Sequence, residues 1–304
     1  LRPTNRGVAG NEQLLSVEYP RLTEDVMAGE RILLDDGKLE LEVLRSSAEG
    51  LDCRVITGGL LGPHKGVSFP ATNLTTPALT ERDRECIQAG LRAGVDYFGL
   101  SFVRDAADIA RTRVYIGSLG EDLPIIAKIE RRQAVENLDA VLAEADGAMV
   151  ARGDLGVELP PEDVPVQQRR IIAAAARNQI PVITATQMLE SMIDSPRPTR
   201  AEASDVANAV WELCDAVMLS GETATAEFER DVLAQPETDD HSLVVALAAR
   251  RIVESDPNMK AVVCFTNSGY TALLLSKVHP NAPIYAISPH ETVTRRLALA
   301  RGVI

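Results

Sequence analysis

The sequence predicts an α/β protein organised around a parallel sheet, and three observations carry that expectation. From about Leu79 onward, helix-length segments alternate with short apolar runs. Five of those runs each follow a helix and end in polar or charged residues, the pattern of a parallel sheet with its site at the strand C-termini. Ahead of them, residues 1–70 fall into short, roughly alternating runs punctuated by Asp35-Asp36-Gly37 and Gly58-Gly59, the pattern of a small β-module.

In the β-module, strands are expected at 14–19, 31–34, 39–44 and 51–56. Residues 80–94 carry helical spacing with Thr80 as N-cap, and 97–103 follow as a strand. Four further units repeat the design. A helix near 105–117 leads to strand 124–129, one near 132–144 to strand 147–151, 166–178 to 181–185, and 200–213 to 215–219. A closed (β/α)8 barrel and an open doubly wound sheet both fit this alternation. No Gly-rich dinucleotide loop follows any strand, and the polar strand ends are spread over all five units, which favours the barrel. Five units are too few to close one. Residues 240–304 read as a third stretch: helix 241–254, strand 260–265, helix 270–278, strand 283–288 and helix 290–300.

Composition excludes several function classes. At 304 residues the chain exceeds the usual single-core size, and 45% hydrophobic with 25% charged residues describes an ordinary globular protein. A formal charge of −13, from 31 basic and 44 acidic groups, argues against nucleic acid or an anionic membrane as the main partner. Cys53, Cys86, Cys214 and Cys264 lie far apart with no CxxC spacing and are expected as buried, reduced thiols. No apolar stretch approaches a membrane span, and the first residues do not form a signal peptide.

The chemistry concentrates at strand ends. Residues 125–130 deliver Lys128 and Glu130 with one residue between them, on one face of a strand, where a plain ion pair explains them as well as a catalytic role does. Asp154, after Gly153 in the next unit, adds a second carboxylate of the kind Mg²⁺ or Mn²⁺ accepts. A Schiff-base role for Lys128 is disfavoured, because Glu130 keeps its amine protonated. Thr184 and Thr186 close another strand, one expected to face the mouth and one to pack outward. Glu222 either reaches the site or caps a helix, with the cap favoured. Arg152 is expected in an internal salt bridge rather than on substrate. His64-Lys65-Gly66 is either a solvated loop or a phosphate contact, and Asp35-Asp36-Gly37 is a turn rather than a metal site. Residues 266–271, rich in hydroxyls and entering a helix, form a candidate phosphate loop.

At these residues the chain resembles the pyruvate kinase family. The matching motifs are Ile126-Ala127-Lys128-Ile129-Glu130, Met149-Val150-Ala151-Arg152-Gly153-Asp154-Leu155-Gly156, Ala185-Thr186-Gln187-Met188-Leu189-Glu190-Ser191-Met192 and Asp215-Ala216-Val217-Met218-Leu219-Ser220-Gly221-Glu222-Thr223. Leu33-Leu34-Asp35-Asp36-Gly37 and Lys65-Gly66-Val67 support them. The resemblance implies a (β/α)8 TIM barrel with an inserted small β-barrel lid and a C-terminal α/β domain. Residues 1–69 then correspond to the lid, 70–228 to the second part of the barrel, and 229–304 to the C-terminal domain with a possible effector site. It implies phosphoryl transfer from phosphoenolpyruvate to ADP, with Mg²⁺ or Mn²⁺ and K⁺, in a cytoplasmic, allosteric homotetramer.

By the same resemblance, Glu130 and Asp154 are the metal ligands and Lys128 stabilises the transferring phosphoryl group. The amides of Gly153 and Asp154, with the Thr186 hydroxyl, cradle the substrate carboxylate, and Thr186 lies near the carbon that is protonated. Lys65 approaches the nucleotide phosphates. Thr266, Asn267, Ser268, Gly269 and Thr271 match an effector-phosphate loop, with Tyr270 where activated members commonly carry an arginine. The family's first three barrel strands, with an arginine and the K⁺ ligands, are absent from the chain, and so are part of the barrel link and the C-terminal end; either a fragment or a sequence joined across gaps is therefore expected. Two alternatives stand beside the kinase: a metal-dependent pyruvate aldolase or lyase, and an inactive effector-binding fragment.

Overall fold

The computed structural model describes residues 1–3, 10–11, 13–72, 74–75, 79–224, 249–250, 253 and 260–304. The chain divides into two compact units, 1–80 with 153–164, and 81–152 with 165–304.

In the first unit, β1 (Arg2–Pro3) and β2 (Ser16–Val17) pair in parallel, and a single turn of helix, α1 (Leu22–Asp25), follows. The remaining strands, β3 (Arg31–Leu34), β4 (Leu39–Ser47), β5 (Gly50–Thr57) and β6 (Val67–Ser68), form an antiparallel sheet of order β5-β4-β3-β6. The expected strand at 14–19 shrinks to Ser16–Val17, because Tyr19 turns away to hydrogen-bond Asp25 at the end of α1. Alternation along β3 and β4 turns Ile32, Leu34, Leu41 and Val43 inward onto Leu22, Val26 and Phe69. The β3–β4 connection is the expected turn: Asp35, Asp36 and Gly37 all have positive φ (49°, 57° and 85°), a conformation that Asp and Gly tolerate best.

In the second unit, five strands alternate with helices as the periodicity predicts. They are β7 (Phe98–Leu100), β8 (Ile125–Ile129), β9 (Gly147–Ala151), β10 (Val182–Ala185) and β11 (Ala216–Met218). All pair in parallel, in the order β11-β10-β9-β8-β7. Spatial order thus follows chain order with no reversal, the arrangement of a barrel wall rather than of a doubly wound sheet.

The helices are α2 (Glu81–Ala93), α3 (Ala106–Ser118), α4 (Arg132–Glu136), α5 (Leu138–Glu144), α6 (Arg152–Glu158), α7 (Val164–Asn178), α8 (Arg200–Trp211) and α9 (Gly221–Ala224). Caps set several starts. The Asp105 carboxylate accepts from Asp108 N before α3, and Thr199 with Glu202 forms a capping box before α8. The single helix expected near 132–144 is split at Asn137, whose backbone leaves helical geometry while its side-chain amide donates to Arg104 O at 3.2 Å.

Residues 260–304 form a βαβ unit of β12 (Val262–Phe265), α10 (Tyr270–Val278) and β13 (Ile284–Ile287), followed by α11 (Glu291–Leu297). Cys264, Ala272, Leu274, Leu275, Val278, Ile284, Val293 and Leu297 make its core. The helix expected at 241–254 falls largely outside the described residues. The cysteine expectation is corrected in part: all four are free, but Cys86 is exposed on the outer side of α2 and Cys53 only half-buried, while Cys214 and Cys264 are buried. Among the described residues no helix is long and apolar enough to cross a membrane.

Candidate active site

Strand β8 is buried along its length except at Lys128, because its apolar residues pack on both faces of a parallel sheet. Lys128 and Glu130 emerge on one side and form an ion pair, with the side chains 26% and 1% exposed. Lys128 Nζ also donates to Ser101 Oγ at 2.9 Å, and Phe102 N donates to Glu130 Oε2 at 2.9 Å. The turn after β7 therefore clasps both functional groups of β8. Phe102 does so in left-handed geometry, φ +56°, which costs a bulky residue on the order of 1–3 kcal/mol. A hydrogen bond to a buried carboxylate returns about 1.5–3 kcal/mol, enough to hold that geometry. Arg131 lies over the Phe102 ring, 5.5 Å from its centroid.

Glu130 Oε1 is buried and accepts no hydrogen bond among the described residues; its neighbour is the Lys128 ammonium. A carboxylate oxygen in that state suits a hard divalent cation. Among the described residues no three His, Cys, Asp or Glu side chains gather as a ready-made cage.

The second carboxylate is placed differently from the expectation of a strand-end acid. β9 stops at Ala151 and α6 begins at Arg152, so Asp154 is exposed in the first turn of a helix and Gly153 lies beside it. Asp154 and Gly153 belong to the first compact unit, and Lys128, Glu130 and Thr186 to the second.

Thr184 and Thr186 part company at the end of β10. Thr184 is fully buried, whereas Thr186 lies beyond the strand, half-buried, with φ +72°. The next residue, Gln187, is also left-handed at φ +54°. Thr186 Oγ1 donates to Ala185 O at 2.6 Å. Arg152 is internal as expected, its side chain 11% exposed and ion-paired to Asp205 at 2.7 Å. Glu222 takes hydrogen bonds from Ser220 N at 2.7 Å and Leu189 N at 3.2 Å, fastening the start of α9 to the turn after β10. Glu202 accepts from Ser191 and Thr199, and these bonds hold its carboxyl down to about 2.

Lys65 is paired with Asp35 at 2.8 Å, and the carboxylate beside it raises the ammonium's pKa. In the 266–271 loop, Thr266 is buried and its hydroxyl accepts from Gly269 N at 2.9 Å, while Ser268 Oγ accepts from Tyr270 N at 3.3 Å. Gly269 is required here: φ is +82°, and a Cβ would meet Val293 at 3.2 Å. Thr266 and Asn267 line a 430 Å³ cavity with Phe265, Ile287, Ser288 and Pro289, whereas Thr271 already belongs to α10. Ser101 and Phe102 were not legible as site residues, since only their position across from β8 makes them so.

Comparison with known proteins agrees with the motifs. The family model described as pyruvate kinase, barrel domain, matches residues 3–233, and that described as pyruvate kinase, alpha/beta domain, matches 244–304. Pyruvate kinase 2 of Synechocystis sp. is 46% identical over 321 aligned positions, covering 99% of this chain and 54% of the relative. The pyruvate kinase of Mycobacterium tuberculosis is 42% identical, covering 99% and 68%, and that of Geobacillus stearothermophilus 42%, covering 97% and 55%. The chain thus spans between about half and two thirds of the length of these curated relatives. With both family models matched in order and identity above 40% along nearly its whole length, the chain belongs to the pyruvate kinase family.

Proposed function

We propose that the protein transfers the phosphoryl group of phosphoenolpyruvate to ADP, giving pyruvate and ATP. The observation that carries the reading is the end of β8, where the Lys128 ammonium is held between Glu130 and Ser101 and keeps about a quarter of its surface open. A fixed cation there meets the charge on a phosphoryl group in transit without reorganising. Glu130 and Asp154 are the proposed ligands of Mg²⁺ or Mn²⁺, supported by the two motifs and by the buried Glu130 Oε1, which accepts no hydrogen bond among the described residues and is neighboured by the Lys128 ammonium. When bound, the cation supplies Lewis-acid stabilisation of developing negative charge. The Gly153 and Asp154 amides and the Thr186 hydroxyl are proposed to orient the substrate carboxylate, with Thr186 near the carbon that takes up the proton.

The proposed domains are a lid at 1–69, a barrel portion at 70–228 and an α/β domain at 229–304. Lys65 is proposed to meet nucleotide phosphates, exchanging Asp35 for them as the lid closes. Thr266, Asn267, Ser268, Gly269 and Thr271 are proposed to hold a phosphorylated effector, with K⁺ dependence, a homotetramer and a cytoplasmic location as further family traits. The names of the relatives favour this kinase over an aldolase or an inactive fragment. A coupled assay of the intact protein tests it: ATP should form from ADP and phosphoenolpyruvate only with Mg²⁺ or Mn²⁺, and its absence under those conditions would remove the reading.

A further inference from the structure

The turn that carries Thr186 is built in a costly way, with two consecutive left-handed residues that are not glycine. One side chain from the neighbouring strand end holds it. Arg152 Nε donates to Ala185 O at 3.3 Å, and Nη2 donates to Thr186 O at 2.5 Å and to Met188 Sδ at 2.8 Å. Nη1 donates to both Asp205 oxygens at 2.8 and 2.7 Å and to Gln168 Oε1 at 3.4 Å. All five N–H donors of the guanidinium are thereby engaged within the protein, so the group has none left for a substrate. Thr186 Oγ1 donates to the same Ala185 carbonyl that receives Arg152 Nε. Two donors on one oxygen fix the torsion of the hydroxyl as well as the path of the backbone.

We propose that Arg152, anchored by Asp205, is a positioning residue for the proton-transfer half of the reaction, acting through the Ala185 and Thr186 carbonyls to aim the Thr186 hydroxyl. The inference rests on the proposed function above and adds a residue to it. A guanidinium suits the task because its planar fork reaches two carbonyls, a thioether and a carboxylate at once in fixed geometry. A lysine keeps the charge and the pairing with Asp205, yet cannot bridge both carbonyls.

The test is a double-mutant cycle on the intact protein with Arg152→Lys, Thr186→Ala and the two together. Two rates are read: exchange of the methyl protons of pyruvate into deuterated water with Mg²⁺ and ATP present, and ATP formation. Arg152→Lys is expected to slow exchange on the order of 10–100-fold, the cost of a misplaced group, while KM for phosphoenolpyruvate changes far less. In the Thr186→Ala background the same substitution should change exchange by less than about twofold, since its target is gone. Independent, multiplying effects would overturn the proposal. If Arg152→Lys fails to fold, Asp205→Asn loosens the anchor while keeping the arginine, and the same cycle applies. Normal ATP formation with multiplying effects sinks only the positioning role; a wild-type protein that forms no ATP sinks the proposed function with it.

Discussion

Lys128 on β8 and Glu130 just past its end stand two residues apart as an ion pair of unequal exposure, a buried carboxylate against a partly open ammonium. The buried member also holds the Phe102 backbone, and the open one the Ser101 hydroxyl. The pair is thus the plain structural feature that spacing allows, and it leaves the ammonium partly exposed.

Glu130→Gln should separate these roles. Glutamine can still accept from Phe102 N through its carbonyl, so the fold survives, but the oxygen charge is gone. The Mg²⁺ concentration for half-maximal ATP formation should rise by at least about tenfold, roughly 1.4 kcal/mol of lost binding. An unchanged metal titration would remove Glu130 from the cation.

Lys277 on α10 is paired with Asp215 just before β11, with side chains 6% and 0% exposed and Nζ to Oδ2 2.5 Å. Asp215 Oδ2 also accepts from Val182 N at 2.7 Å, and Oδ1 has no hydrogen bond among the described residues. Lys277→Met strands that carboxylate, and breaking a buried pair from one side costs about 3–5 kcal/mol. Urea unfolding should show a loss of that order. Adding Asp215→Asn, which still accepts from Val182, should recover part of it, and a loss under about 1 kcal/mol for the single variant would contradict the burial argument.

His279, at the C-terminal end of α10, is pushed down to about 4 by burial, with the Arg301, Lys277 and Arg250 charges adding to the effect. Its ordinary value in an unfolded chain is about 6.5. Between those values the unfolded chain takes up a proton that the folded one refuses. The histidine's effect on stability is therefore flat above about pH 6.5, and stability falls as pH drops from there toward about 4. His279→Asn tolerates the local φ of +47° and should flatten that part of the Tm–pH curve. An unchanged slope would assign the acid sensitivity to other groups.

Gly269→Ala forces a side chain into left-handed backbone and against Val293. It should cost about 1–2 kcal/mol and raise the exposure of the Gly269 amide, which Thr266 Oγ1 now accepts, to hydrogen exchange. Protection equal to that of the wild-type loop would show that the turn does not depend on the glycine.

How much of this the sequence disclosed depends on whether local pattern or distant contact decides. β8, β9 and β10 were legible because apolar runs between helical segments have few other homes in a parallel sheet, and Tyr270–Val278 matched its expected span. Lys128 and Glu130 were legible as a same-face pair from spacing alone. Asn137 broke a helix because Arg104 O lay within its reach, and Asp154 joined a helix because β9 ends at Ala151, neither of which periodicity encodes. The grip of Arg152 on the β10 turn is of the same kind: its partners lie more than 30 residues away along the chain.

The central claim is that Lys128 serves the phosphoryl group while proton transfer belongs elsewhere, and Lys128→Met in the intact protein tests it most directly. Methionine keeps the length of the stem without the charge. The account predicts that ATP formation from phosphoenolpyruvate and ADP is abolished while exchange of pyruvate methyl protons stays measurable. ATP formation at the wild-type rate would contradict it.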